Sequence, residues 1–407
     1  MSDKDGLEAL RTDAPTPSGA VSITGTPQKY AFVDIARGLA ILLVIIVHHG
    51  QNFTQSPVLR FFTDFGQVGV QLFFVASAMT ICMSFRRRCQ ERRPILGFYV
   101  RRFFRVAPLY YIGILFYWSV AEFAAGARFP SFPDPYIPFN ILANVVLVHG
   151  FVPSAQNSVV PGGWSIGIEM TFYVAFPALL FLYDWCARRN VAVAVIGIPL
   201  LAVCLNLLFQ AVITRLTGKT MTNNAFLYFS IANQLPVFLV GISGQVLAER
   251  GLIPGRVWPS LATGFAICVL AMFWVSFGNS MAYTLLPGVV AVAFVLLIFG
   301  ILRSNIRVSP VQRIGQVSYS MYLFHFPFAW AATGWLLHQP VFSSLPLGVR
   351  YATTLGLVIA GTYLVARISQ RVFEDPSIRL GKRVIAKFNS RDDLGARLPL
   401  CRDKKRA

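Results

Sequence analysis

The chain has 407 residues, of which 55% are hydrophobic and 13% charged, with a mean hydropathy of +0.59. A soluble domain carries roughly 25% charged residues, so this composition calls for a lipid-facing surface. The net charge of +19 would suit a nucleic-acid binder, but the Arg and Lys lie in short connections between apolar runs, a membrane-protein pattern that excludes nucleic acid as a partner.

Residues 1–29 are polar, with acids, Pro and Ser and no apolar core behind a basic start, and read as a disordered cytoplasmic tail rather than a cleaved leader. A bilayer needs roughly 20 apolar residues per crossing. Such runs fall at 32–49, 67–85, 103–123, 165–184, 191–213, 226–248, 257–277, 281–302, 317–337 and 347–370, which predicts an all-α polytopic bundle of about ten helices over residues 30–380. Residues 381–407 form a basic cytoplasmic tail. The connection 86–102 holds seven Arg against one Glu, and Arg188/Arg189, Arg250/Arg256 and Arg303/Arg307/Arg313 follow at alternate connections. The intervening loops 50–66 and 124–164 carry only Arg60 and Arg128; the partial exception is 214–225, with Arg215 and Lys219. This asymmetry puts both termini in the cytoplasm. The apolar stretch 139–150 is too short to cross and reads as re-entrant or interfacial. The six cysteines have no CxxC spacing and support neither a disulfide framework nor a metal site.

Four stretches carry candidate chemistry. The first span begins with Asp34 and Arg37 and ends in His48–His49. Eleven residues at about 100° each make three turns, so Asp34, Arg37 and His48 share a face while His49 turns aside. A lone His at a helix end is often structural, but three ionisable groups on one membrane helix are costly without a purpose. A neutral imidazole there suits general-base work.

The second is the basic entry to the third span, Arg101, Arg102 and Arg105, the last two on one face. Positive-inside anchoring explains Arg86 to Arg93. Arg102 and Arg105 can also clamp the phosphates of a cytosolic donor such as a nucleotide or coenzyme A. The third is Pro161–Pro177, where Trp164 and Ser165 open a helix and Glu169 is its lone acid. Ser165 is either a helix cap or a site residue. Glu169 lies at the depth of His48, where a carboxylate would fix the imidazole tautomer if the two touch. The fourth is 314–330, in which Ser318, Tyr319, Tyr322 and His325 edge an aromatic helix that Pro327 would kink; His325 is read equally as functional or structural. His149 and His338 look incidental, and Glu374-Asp375-Pro376 reads as a helix terminator or ion-pair partner.

Taken together, these stretches form an ordered series: Asp34-x-x-Arg37-x10-His48; Gly69-Val70-x-x-Phe73-Phe74 to Ser77; Arg102-x-x-Arg105 before Pro108-Leu109-Tyr110; Trp164-Ser165-x3-Glu169-x-x-Phe172-Tyr173; Ser318-Tyr319-x-x-Tyr322-Leu323-x-His325; and Glu374-x-Pro376. In this order, over residues 30–380, the chain resembles the acyltransferase type 3 family of bacterial inner-membrane O-acyltransferases acting on glycans. The resemblance implies ten core helices, an acyl-CoA donor (usually acetyl-CoA) entering from the cytosol and a glycan acceptor hydroxyl met towards the periplasm. It implies His48 as the catalytic residue with Arg37 as its motif partner, and Arg102 and Arg105 on the donor side. Glu169 is expected to assist His48 and Arg101 to join the donor arginines. Asp34, Trp164, Ser165, Tyr319 and His325 are the substrate-binding candidates. No metal and no permanently bound cofactor are expected. Ala78 stands where relatives often have Gly, and Met170 where many carry a polar residue. No esterase-like domain is recognised, so transfer would finish at the bundle. The rival readings are a transporter or flippase with the same groups lining a path, and an acyltransferase with a lipid or small-molecule acceptor.

Overall fold

The computed structural model describes residues 31–54, 56–123, 136–304 and 308–390; the expected N-terminal tail lies outside these. Every element among them is helical. The long helices are α1 (Ala31–Gly50), α2 (Gly69–Arg88), α3 (Pro94–Phe123), α5 (Trp164–Arg189), α6 (Ile198–Thr217), α7 (Ile231–Glu249), α8 (Val257–Val275), α9 (Ser280–Ser304), α11 (Leu347–Ser369) and α12 (Asp375–Ser390). Two short ones bear on the site, α4 (Pro138–Val145) and α10 (Ser318–Phe324). Nine helical stretches among the described residues are long and apolar enough to cross a membrane, and the chain is a multi-pass membrane protein.

α1 is approached closely because small residues on its neighbours let their backbones close on it. A side chain at Gly315, in the short helix Ser309–Gln316, would collide with the Asp34 carbonyl, and a side chain at Gly69 would reach within 2.7 Å of the Ala40 carbonyl. α1 is therefore gripped at its Asp34 end by one segment and along its second half by the start of α2. Such close approach favours van der Waals packing, which drives helix association where lipid removes the hydrophobic contrast.

The expected span 317–337 is not a single long helix. α10 stops at Phe324, His325 breaks the pattern, and the chain resumes as a π-helical turn, Pro327–Ala332, before Thr333–Leu337. Pro327 has no N–H to give the Leu323 carbonyl one turn back, and that carbonyl accepts instead from Tyr117 OH at 2.8 Å. π-bulges of this kind often mark functional sites. The last helix also runs further than expected. After a π turn at Gln370–Glu374 it continues as α12, so the expected boundary at 380 falls inside a helix.

Residues 139–150 do not cross. α4 is eight residues long, and beyond it the chain turns at Leu147, with φ +62°, into His149–Phe151. Its polar residues Asn140, Asn144 and His149 face inwards, while Phe139, Leu142 and Val146 are exposed. This inverted pattern is that of a segment bathed in the apolar zone.

One expectation about the arginine-rich connection changes. Arg86 is more than an anchor: it donates to both Asp184 oxygens at 2.6 and 3.1 Å and pairs with Glu249 at 2.9 Å, tying α2, α5 and α7 at one end.

Candidate active site

α1 carries its polar face past two adjoining cavities. The larger, of about 1450 Å³, is lined by His48, Gln51, Trp164, Tyr228, Phe326 and Trp330 among others. The smaller, of about 70 Å³, is lined by Arg37, Arg102, Arg105, Ser77, Glu169 and Tyr319 among others. Val70 and Tyr322 belong to both walls, so the cavities meet at those two side chains.

His48 has a defined tautomer. Its Nδ1 lies 2.8 Å from the Val44 carbonyl, which can only accept, so Nδ1 bears the proton and Nε2 keeps a free lone pair. His325 is set the same way, its Nδ1 donating to the Tyr322 carbonyl at 2.7 Å. Its unprotonated Nε2 then faces His48 Nδ1 at 3.1 Å and shares that proton with Val44. The break after α10 makes this possible, because it turns the His325 ring towards α1. Phe326 packs on His48 at 4.5 Å between centroids, and Trp330 meets it edge-on at 6.0 Å.

Glu169 is not the partner of His48. It accepts from Ser77 Oγ and from Tyr173 OH, each at 2.5 Å, inside the small cavity. Helical phase explains this: Tyr173 is one turn further along the same face of α5, and Ser77 arrives from α2. The sequence placed Glu169 at a comparable depth, but depth does not fix azimuth around a bundle.

The small cavity gathers opposite charges. Arg102 is buried, with its guanidinium over the rings of Tyr173 at 5.6 Å and Phe98 at 5.8 Å. Asp34 and Glu374 lie within electrostatic reach of Arg37 and Arg105, and Glu374 is a buried carboxylate that also accepts from Ser320 at 3.2 Å. Glu374 was expected to end a helix or pair with basic loops; it is buried within electrostatic reach of Arg105 and Arg37, outside both cavity walls. Two other candidates are absent from both cavity walls. Asp34 faces Gln316, Arg37 and Arg105 from outside. Arg101 is held by Glu91 at 2.8 Å.

The remaining candidates divide between the walls. Trp164 stacks on Phe229 at 4.3 Å and lines the large cavity. Ser165 is no cap: it donates to the Gly162 carbonyl at 3.1 Å or to Tyr322 OH at 2.8 Å, and Tyr322 donates to the same carbonyl at 2.9 Å. Gly162 sits at φ +74°, a left-handed conformation that glycine adopts without strain and that aims this carbonyl at the junction of the cavities. Tyr319 lines the small cavity and donates to the Val106 carbonyl at 2.8 Å.

His149 is not incidental. Fully buried, it donates from Nε2 to the Gly163 carbonyl at 2.9 Å, and Tyr110, stacked on its ring, donates to Asn144 at 2.6 Å. A side chain at Gly167 would come within 2.9 Å of His149 Nε2, so that glycine lets the loop dock on the start of α5. Burial holds the His149 imidazole below its usual pKa and keeps it neutral. His338 hydrogen-bonds its own helix at Gly334. Among the described residues no group of acids, histidines and cysteines is placed to hold a metal.

A family model described as an acyltransferase domain matches residues 30–367. The chain is 26% identical to acyltransferase MdmB of Streptomyces mycarofaciens over 71% of its own length and 76% of that protein. It is 27% identical to the exopolysaccharide production protein ExoZ of Rhizobium meliloti, covering 78% of this chain and 91% of that one. Peptidoglycan O-acetyltransferase OatA of Listeria monocytogenes is 24% identical over 84% of this chain and 55% of its own length. No solved structure matches.

Proposed function

The chain belongs to the acyltransferase family and is a membrane O-acyltransferase, and from that premise we propose that it moves an acyl group, acetyl in the first instance, from cytosolic acyl-CoA to a hydroxyl of a cell-surface glycan at the periplasmic face of the bacterial inner membrane. The observation that carries the reading is the unprotonated Nε2 of His48, whose ring lines the larger of two unlike cavities that adjoin at Val70 and Tyr322.

The small cavity suits the donor. At about 70 Å³ it is narrow and better matched to a slender arm than to a nucleotide. A pantetheine-like chain would run past Arg37, Arg102 and Arg105, leaving the phosphorylated end at the arginine-rich connection and bringing the thioester to Tyr322. The large cavity suits the acceptor. Aromatic rings and the side-chain amides of Gln51, Asn52, Gln67 and Asn157 line it, and His48 and Glu122 are its ionisable members apart from tyrosines. Rings offer stacking faces and amides offer paired donors and acceptors, which fits an uncharged saccharide. The printed names of two relatives, for exopolysaccharide production and peptidoglycan O-acetylation, support the same acceptor class.

In this scheme His48 Nε2 takes the proton of the acceptor hydroxyl as its oxygen attacks the thioester carbonyl. The imidazolium keeps its Nδ1 proton on Val44 and His325. The tetrahedral adduct then collapses with loss of the coenzyme A thiolate, which takes the proton from Nε2. General-base assistance is worth about 10²- to 10⁴-fold. His48→Ala should therefore lower transfer from radiolabelled acetyl-CoA by at least about 100-fold while the protein stays membrane-inserted. Turnover at the wild-type rate would refute the assignment.

A further inference from the structure

Two amides stand beside His48 in the large cavity, and their hydrogen bonds make them unequal. Asn52 spends its amino group on protein, donating to the His49 carbonyl at 2.9 Å and the Ala329 carbonyl at 2.8 Å. It thereby clips the π turn Pro327–Ala332 to the end of α1. Gln51 is bound through its oxygen instead, accepting from the indole Nε1 of Trp330 at 2.8 Å. An indole N–H can only donate, so the Gln51 carboxamide has a single orientation, oxygen towards Trp330 and amino group away. Among the described residues that amino group has no protein partner, and Gln51 is exposed to the cavity.

Position decides what it meets. Arg37, His48 and Gln51 follow one another along α1 and the 3-10 turn Gln51–Phe53 that closes it, Gln51 three residues past His48. Arg37 lines the small cavity, whereas Gln51 lines only the large one. Gln51 therefore stands beyond the base, on the side opposite the donor.

Resting on the reading above, we propose that Gln51 is an acceptor-positioning residue. Its amino group, oriented by Trp330, donates a hydrogen bond to a saccharide oxygen next to the hydroxyl that His48 deprotonates. The π turn then has a purpose in the site, since it delivers both His325 to the back of His48 and Trp330 to Gln51.

The test uses the full chain in detergent, radiolabelled acetyl-CoA and a dilution series of the saccharide fraction extracted from the host membranes. Loss of one such bond corresponds to about 2- to 12-fold in an equilibrium constant. Gln51→Ala and Gln51→Glu should raise the half-saturating acceptor concentration by about that factor, with the KM for acetyl-CoA and kcat at saturating acceptor unchanged. Glu keeps the acceptor for Trp330 but has no donor, and its matching size carries the test should the Ala variant insert poorly. Trp330→Phe, which frees the amide to turn, should shift the same constant by less. An unchanged acceptor dependence in Gln51→Glu, or a fall in kcat with acceptor affinity intact, would overturn the proposal. Wild-type transfer in His48→Ala would instead refute the reading of the reaction, so the two failures are distinct.

Discussion

The two cavities that meet at Val70 and Tyr322 are built on opposite principles. The small one is a tight slot that gathers charge, with Arg37, Arg102, Arg105 and Glu169 in its wall and Asp34 and Glu374 within electrostatic reach. The large one is some twenty times roomier and is lined by rings and amides with hardly any charge. A slot of buried charges tolerates little exchange, because removing one member of a buried pair costs about 3–5 kcal/mol. A wall of rings and amides tolerates exchange, since each contact is worth only about 0.5–1.5 kcal/mol. The contrast suits the proposed division of labour, with the donor in the slot and the acceptor in the wider cavity.

The contrast can be broken from either side. The largest expected effect is on the slot. Arg102→Ala should raise the KM for acetyl-CoA by about 10- to 150-fold, the worth of a hydrogen bond to a charged group, and leave the acceptor dependence unchanged. Steady-state kinetics with each substrate varied in turn would check this, and a matching rise in both constants would mean that the slot is not donor-specific. On the other side, Trp164→Ala removes the stack on Phe229 and should weaken acceptor binding by about 2- to 12-fold, with the KM for acetyl-CoA unmoved.

The smallest effect concerns the His149 loop, docked on the start of α5. The folded-state pKa of His149 is depressed, so its neutral form contributes stability that is present above the unfolded value of about 6.5 and is lost as pH falls towards the lower folded value. The melting temperature in detergent should therefore fall on acidification below about 6.5, and His149→Gln, which does not titrate, should flatten that slope.

Much of the fold was legible in the sequence because membrane crossing is a one-dimensional constraint: each span must supply its own length of apolar residues and satisfy its own backbone. Nine of the ten expected spans are long helices. The tenth, 317–337, is interrupted around Pro327, where the sequence predicts a kink and the backbone cannot continue regularly. Within the site, residues that act through their own helix were readable. The phase of α1 selected His48 over His49, and His49 is indeed turned aside, fully buried and bound to Thr354 at 2.8 Å. Residues whose role rests on a distant partner were not. Glu169 meets Ser77, Arg101 meets Glu91, and His149 meets Gly163 and Tyr110.

What the sequence by itself determined is the class of protein, the spans and the polar face of α1, since all three follow from hydropathy and helical phase along a single segment. Tertiary structure alone decided that the imidazole behind His48 is His325, 277 residues away, that the acids belong to the arginine slot, and that Trp330 orients Gln51. Those are matters of which helix stands beside which and at what rotation. A local periodicity carries no information about either.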